Sequence, residues 1–195
     1  MPTSSAELTL GRFAALAARF CEHVEMYRAQ QPAVFLQTAH RLLADIYAAA
    51  LGLPRSAADE MEDESEDEAW APSVSVESDQ APDPDRLSQD EWWTLFRGLT
   101  EYFGDRKWYR EIFDPHEPST ELEVRGDLAD DFADIYRDLL DGLRKWARGE
   151  ADLAHWEWRS GFENHWGEHA TGALRALHCL AAWHDQPWPD ASESV

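Results

Sequence analysis

Positive charge is scarce in this chain. Seventeen lysines and arginines stand against 39 aspartates and glutamates, leaving a net charge of −22 at pH 7. Such a surface repels phosphate backbones and anionic lipid, so no nucleic-acid and no membrane partner is expected. No apolar run approaches the ~20 residues that a bilayer-spanning helix needs. Cysteine is almost missing: Cys21 and Cys179 each fall inside a helical pattern and read as buried thiols, not as a disulfide framework or a zinc knuckle. A targeting segment is not expected either. Arg12 and Arg19 flank the apolar stretch Phe13 to Ala18, which is too short for a secretory core and has no small-residue cleavage site after it. These features together predict a cytoplasmic protein. Glycine-rich phosphate loops, a GxSxG elbow and a CxxC pair are also absent, which leaves nucleotide-cradling, serine-hydrolase and thioredoxin-like chemistry without a foothold.

Apolar residues make up 44% of the chain and include ten tryptophans, a composition that supports a folded core. Their spacing is helical. Ser4 and Glu7 have capping-box spacing ahead of Phe13, Leu16, Phe20, Val24 and Tyr27, which recur at steps of three and four. Pro32 suits a first helical position, and a second stripe runs through Phe35, Ala39, Leu42 and Ile46 until Gly52 and Pro54 close it. Ser88 and Glu91 form another capping box before Trp92, Leu95, Phe96, Leu99 and Phe103. The segment Trp108 to Phe113 predicts a short helix and a loop, with only a doubtful strand at 121–124. Asp127 can cap a further helix with the stripe Leu128, Phe132, Ile135, Leu139, Leu143 and Trp146, ended by Gly149. One very long helix is expected from about Asp152 to about His184. The predicted fold class is all-α, a helical bundle of about five or six helices.

The bundle is interrupted by a segment of different character. Residues 55–87 lack apolar periodicity and carry −10 of the −22, with Asp59 to Glu68 acidic at eight of ten positions. They predict a long disordered acidic insert between the first two helices (1–54) and the remaining helices of the same domain (88–186), with a tail at 187–195.

Chemistry concentrates in the last two predicted helices. At 100° per residue, Asp127, Asp131, Asp134 and Asp138 share a stripe about 60° wide beside the core face. Like charges one turn apart repel, so the column calls for an answering cation: an arginine such as Arg159 or Arg175, protonated histidine, or a metal. The alternative is that the stripe faces water, with Asp127 as a cap. The next helix carries His165-Trp166-Gly167-Glu168-His169, which spells the inverted zincin pattern HxxEH. That reading fails on context, because those enzymes are much larger and take a further glutamate from well downstream. What remains is a pair of histidines one turn apart on a partly buried face. Carboxylates and histidines at i, i+4 on two helices are the ligand types that bundle metal sites use, so Asp131, Asp134, Asp138, His165 and His169 are candidate ligands for a divalent metal. The alternative is core histidines bridged to aspartates. Trp156, Trp158 and Trp166 serve either to wall a pocket or to pack the core. Arg106, Lys107, Trp108, Tyr109 and Arg110 form one basic, aromatic patch suited to an acidic partner or to the chain's own acidic insert.

The stretches GDLADDFADIYRDLLDGLRKW at 126–146 and HWEWRSGFENHWGEHATGALRALH at 155–178 resemble the bacterial family known as domain of unknown function 5063. The resemblance implies an all-helical bacterial protein without an assigned activity, and it supplies no catalytic residues. Two functions stay open at this point. One is a protein-binding or regulatory module whose partner is another protein. The other is a metal-dependent enzyme holding a divalent ion between the aspartate-rich helix and the HWGEH helix.

Overall fold

The computed structural model describes residues 5–54, 86–112, 116 and 123–183. The insert's residues 55–85, the tail and Ser4 lie outside them. Among the described residues the chain forms six α-helices and one two-stranded sheet: α1 (Ser5–Glu25), α2 (Pro32–Ala50), α3 (Gln89–Phe103), β1 (Trp108–Ile112), β2 (Glu123–Asp127), α4 (Leu128–Ala147), α5 (Ala151–Asn164) and α6 (Trp166–Trp183). None of these helices is long and apolar enough to cross a membrane.

The ends of the helices follow the local chemistry. Pro32 opens α2 with a preset φ and no orphan N–H. At α3 the capping box is complete: the Ser88 side chain accepts from the Glu91 N–H, and the Glu91 carboxylate accepts from the Ser88 N–H at 2.9 Å. Asp127 caps α4 by accepting from the Ala129 N–H at 2.9 Å. Past its other end Gly149 adopts φ +81°, a conformation that a side chain would resist.

Helix α4 is central and packs against α1, α3, α5 and α6, while α2 closes the bundle against α1 and α6. Phe132 joins four helices, with its ring centroid 5.9 Å from Phe20, 5.6 Å from Phe35 and 5.7 Å from Phe103. Leu128, Ile135 and Leu139 on the same helix are also fully buried. Each such side chain contributes about 1.5–3 kcal/mol by leaving water.

Two sequence expectations need correction. The long helix over 152–184 is two helices, broken at His165, whose φ −152° and ψ −82° leave the helical region. In a straight helix Trp158 and Trp166, eight residues apart, would point about 80° from one another. The break lets both be fully buried, with the Trp166 indole N–H donating to the Trp158 carbonyl at 3.2 Å. The second correction concerns Trp108 to Ile112, a strand instead of a short helix and loop. It pairs antiparallel with Glu123–Asp127, placing Tyr109 opposite Gly126 and Arg110 opposite Arg125. Apolar residues fall on both faces of this ribbon, which blurs the alternation that marks a strand. The doubtful strand near 121–124 therefore has a real counterpart, beginning at Glu123 and running on to Asp127.

Candidate metal centre

Three elements converge at one edge of the core. Helix α4 supplies Asp131, Asp134 and Asp138, the break between α5 and α6 supplies His165, and the first turns of α6 supply His169. The two imidazoles lie 5.0 Å apart, centroid to centroid. Asp127, the fourth aspartate of the column, has a structural task instead. It caps α4 and forms an ion pair with the buried Lys107.

The hydrogen bonds define a direction for each ring. His165 Nδ1 stands 2.7 Å from Asp138 Oδ2, and His169 Nδ1 stands 3.0 Å from Asp131 Oδ1. An ionised carboxylate only accepts, so each Nδ1 is the donor here, and in the neutral ring Nε2 then keeps a lone pair. His169 Nε2 lies 3.6 Å from Asp134 Oδ2. Asp134 Oδ1 is held from the other side, by the Trp92 indole N–H at 3.0 Å and the Arg137 guanidinium at 2.7 Å. Arg137 also reaches Asp138 Oδ1 at 3.5 Å. Asp131 Oδ2 accepts from the Tyr109 hydroxyl at 2.8 Å.

This arrangement settles where the predicted residues lie relative to one another. The aspartates do not form a solvated stripe, since Asp131 and Asp134 are buried. Their answering arginine is Arg137; Arg159 pairs instead with Glu163 and donates to the Leu53 carbonyl at 2.9 Å. All five candidate ligands are brought together, but in two layers. Asp134, His165 and His169 each offer a ligand atom within a group no wider than 4.8 Å. Asp131 and Asp138 stand behind the histidines, on their Nδ1 side. Trp158 and Trp166 are fully buried core, and Trp158 donates its indole N–H to the Leu139 carbonyl at 3.1 Å.

The electrostatics are those of a cluster short of positive charge. Burial pushes the Asp131 carboxyl up to about 6, although the hydrogen bonds from His169 and Tyr109 hold it down. Burial likewise raises Asp130 and Glu111. Burial opposes a charged His169, yet its hydrogen bond to Asp131 and the charges of Asp131, Asp134 and Asp130 outweigh that cost and raise it. Tyr109 is raised by burial first and by the Asp131 charge second.

Four participants escaped the sequence reading. Tyr109 and Glu111 sit on the inner face of β1, and Tyr109 lies flat over Gly126, where even a methyl group would strike its ring. Reading that segment as helix and loop hid the alternation that aims both residues at α4 and α6. Trp92 was visible only as an apolar stripe residue. Arg137 carried a usable signal, since it lies three residues after Asp134 and beside Asp138.

A family profile matches residues 5–183, nearly the whole described chain. The chain belongs to the family described as domain of unknown function (DUF5063). The crystal structure of protein BF1032 from Bacteroides fragilis is similar over 95% of this chain and 97% of that one, with a TM-score of 0.67 and 19% identity. At that identity the likeness concerns the fold alone. No curated protein matches the sequence. The family carries no assigned activity, so any function has to come from the site itself.

Proposed function

We propose that this DUF5063 protein binds a divalent metal ion through Asp134, His165 and His169, with Asp131 and Asp138 orienting the two imidazoles, and that the ion serves a metal-dependent enzyme activity. The observation that carries this reading is the pair of Nδ1 to aspartate hydrogen bonds, which in the neutral rings leaves Nε2 free to act as the ligand atom. Metal-binding histidines characteristically donate their other N–H to a carboxylate, which fixes the tautomer and makes the ring more basic. Bonds of ~2.0–2.2 Å place neighbouring ligands roughly 3–3.5 Å apart. His169 Nε2 and Asp134 Oδ2, at 3.6 Å, already stand close to that spacing.

Charge supports the same reading. With both imidazoles neutral, three aspartates against the one arginine bonded to them leave two negative charges in excess, which a divalent ion offsets. Two histidines and a carboxylate suit zinc, iron(II) or manganese. Three protein ligands leave positions open for water or substrate, so the ion can lower the pKa of a bound water or polarise an oxyanion.

A protein-binding module is the second reading, supported by the outer face of the β1–β2 ribbon. Trp108 and Ile112 are 39% and 55% exposed there, and the Arg125 guanidinium lies 3.5 Å from the Trp108 ring centroid. That face gives no reason for the histidine and aspartate layers. Elemental analysis of protein purified without a histidine tag tests the metal reading. Near one equivalent of metal per chain is expected, with a chelator lowering the melting temperature. Metal-free protein that takes up none of zinc, iron(II), manganese or cobalt, and whose melting temperature ignores chelator, refutes it.

A further inference from the structure

A groove of about 640 Å³ runs between α1 and α2 and shares no residue with the metal centre. Arg12 and Arg19 line it, both exposed and two turns apart on one side of α1, about 10 Å along its axis. The one acid in its lining, Asp45, pairs with neither, and no other carboxylate among the described residues does. By contrast Lys107, Arg137, Lys145, Arg148 and Arg159 each form an ion pair. In a chain with 39 acids against 17 lysines and arginines, two neighbouring arginines left over call for an acid from outside the described residues.

The acidic insert departs from the same place. Gly52 lines the groove, and the described chain stops two residues later at Pro54. That exit is anchored: the Leu53 carbonyl accepts from Arg159 at 2.9 Å, and His155 Nε2 lies 2.7 Å from the Pro54 carbonyl. Residues 59–68, acidic at eight of ten positions, begin five residues past Pro54, which is about 17 Å of extended chain. Residues 69–85 then supply about 60 Å for the return to Arg86, more than the roughly 40 Å width of a domain of this size. The two arginines are about three extended residues apart. With acids so dense, a carboxylate meets both of them in almost any register.

We infer that the α1–α2 groove is the docking surface for the chain's own acidic segment, residues 59–68, held by its carboxylates on Arg12 and Arg19. Guanidinium groups match carboxylates in geometry as well as charge. Each exposed ion pair is weak, but the segment is tethered beside its site. A short tether sets an effective concentration on the order of millimolar, so a segment of millimolar affinity is docked about half of the time. Half-docking shifts the folding equilibrium only about twofold, so the contact orders the segment while adding little to global stability.

A spin label on Ser65→Cys tests this in the full-length protein, with Cys179→Ser added so that buried Cys21 is the only other thiol. NMR then reads the label's broadening of backbone amides. The informative amides are those around Arg19 and Asp45, at the end of the groove far from Gly52. At low salt their paramagnetic relaxation should be severalfold greater than in Arg12→Gln/Arg19→Gln, a change at two exposed positions whose folding the unshifted amides of α4 verify. About 0.5 M NaCl, with a Debye length of about 4 Å, should bring the parent down to the level of that variant. Broadening there that ignores both the variant and the salt overturns the inference. So does broadening centred on the β1–β2 ribbon, which places the segment on Trp108 and Arg125 instead. Broadening that appears only between a labelled and an unlabelled copy assigns the groove to a second chain and overturns docking within one.

Discussion

The two long faces of α4 are held by opposite physics. On one, Leu128, Phe132, Ile135 and Leu139 are fully buried among aromatic and aliphatic neighbours. On the other, Asp131 and Asp134 are buried too, but among histidines, an arginine, a tyrosine and a tryptophan indole. The first face stabilises the fold by removing apolar surface from water. The second takes charge out of water, which costs free energy that ion pairs only partly return. A helix that accepts such a cost along one side, with carboxyl groups pushed upward by burial, has the marks of a functional surface.

The contrast can be broken most severely on the apolar side. Phe132→Ala removes the ring shared by four helices and should cost about 3–5 kcal/mol of unfolding free energy in a urea titration. That loss should be the same with and without zinc; a loss that zinc reverses would mean that the two faces are not independent. On the polar side, Asp131→Asn keeps the side chain's shape while weakening its hold on His169. Metal affinity should fall roughly 10- to 100-fold, whereas the metal-free protein at pH 8 should lose less than about 1 kcal/mol, since a buried charge is removed. Isothermal titration calorimetry and denaturant melts read the two effects separately, and unchanged affinity would remove Asp131 from the metal centre.

A gentler probe is pH. The carboxyl of Asp131 is raised to about 6, and His169 is raised above its unfolded value. A group raised on folding contributes stability that is complete below its unfolded pKa and is lost as pH passes the folded value. The Asp131 contribution therefore fades between about 4 and about 6, and that of His169 fades from about 6.5 upward. Above about 6.5 the metal-free protein should lose stability relative to His169→Gln, while metal affinity should climb as its ligands give up protons. Parallel pH slopes for the two proteins would show that the His169–Asp131 pair holds no such proton. The smallest effect is expected from replacing residues 55–85 with a Gly/Ser linker. Their lack of apolar periodicity predicts a change within about 0.5 kcal/mol and unaltered metal uptake. A larger loss in the same urea titration would show that the insert packs on the bundle.

Much of the apolar face was legible because helical burial repeats every three to four residues, and Phe13, Phe20, Phe35, Ile46, Phe132 and Leu139 all obey that rhythm. The aspartate spacing was equally plain, and Asp131, Asp134 and Asp138 do share one side of α4, whereas His165 and His169 meet across the break between α5 and α6 and not along one helix face. Two things were hidden. Periodicity continues through residue 165, so nothing local announced that a helix would break to bury both Trp158 and Trp166. That break is a tertiary demand. The ribbon was obscured because Trp108 and Ile112 are apolar yet exposed, so the inward pair Tyr109 and Glu111 left no clean alternation. Candidate ligands and the carboxylates behind them could not be told apart either, because that distinction rests on which ring nitrogen faces which carboxylate.

The imidazole protons of His165 and His169 test the metal centre most directly. Following both rings by NMR across pH 5 to 9, with and without zinc, is the measurement. In metal-free protein His169 should titrate above its ordinary value, held by Asp131 and its neighbours. With one equivalent of zinc both rings should stop titrating over the range where the metal stays bound, with their protons on Nδ1. Two rings that titrate identically with and without zinc, manganese, iron(II) and cobalt would show that the aspartate and histidine layers hold only each other.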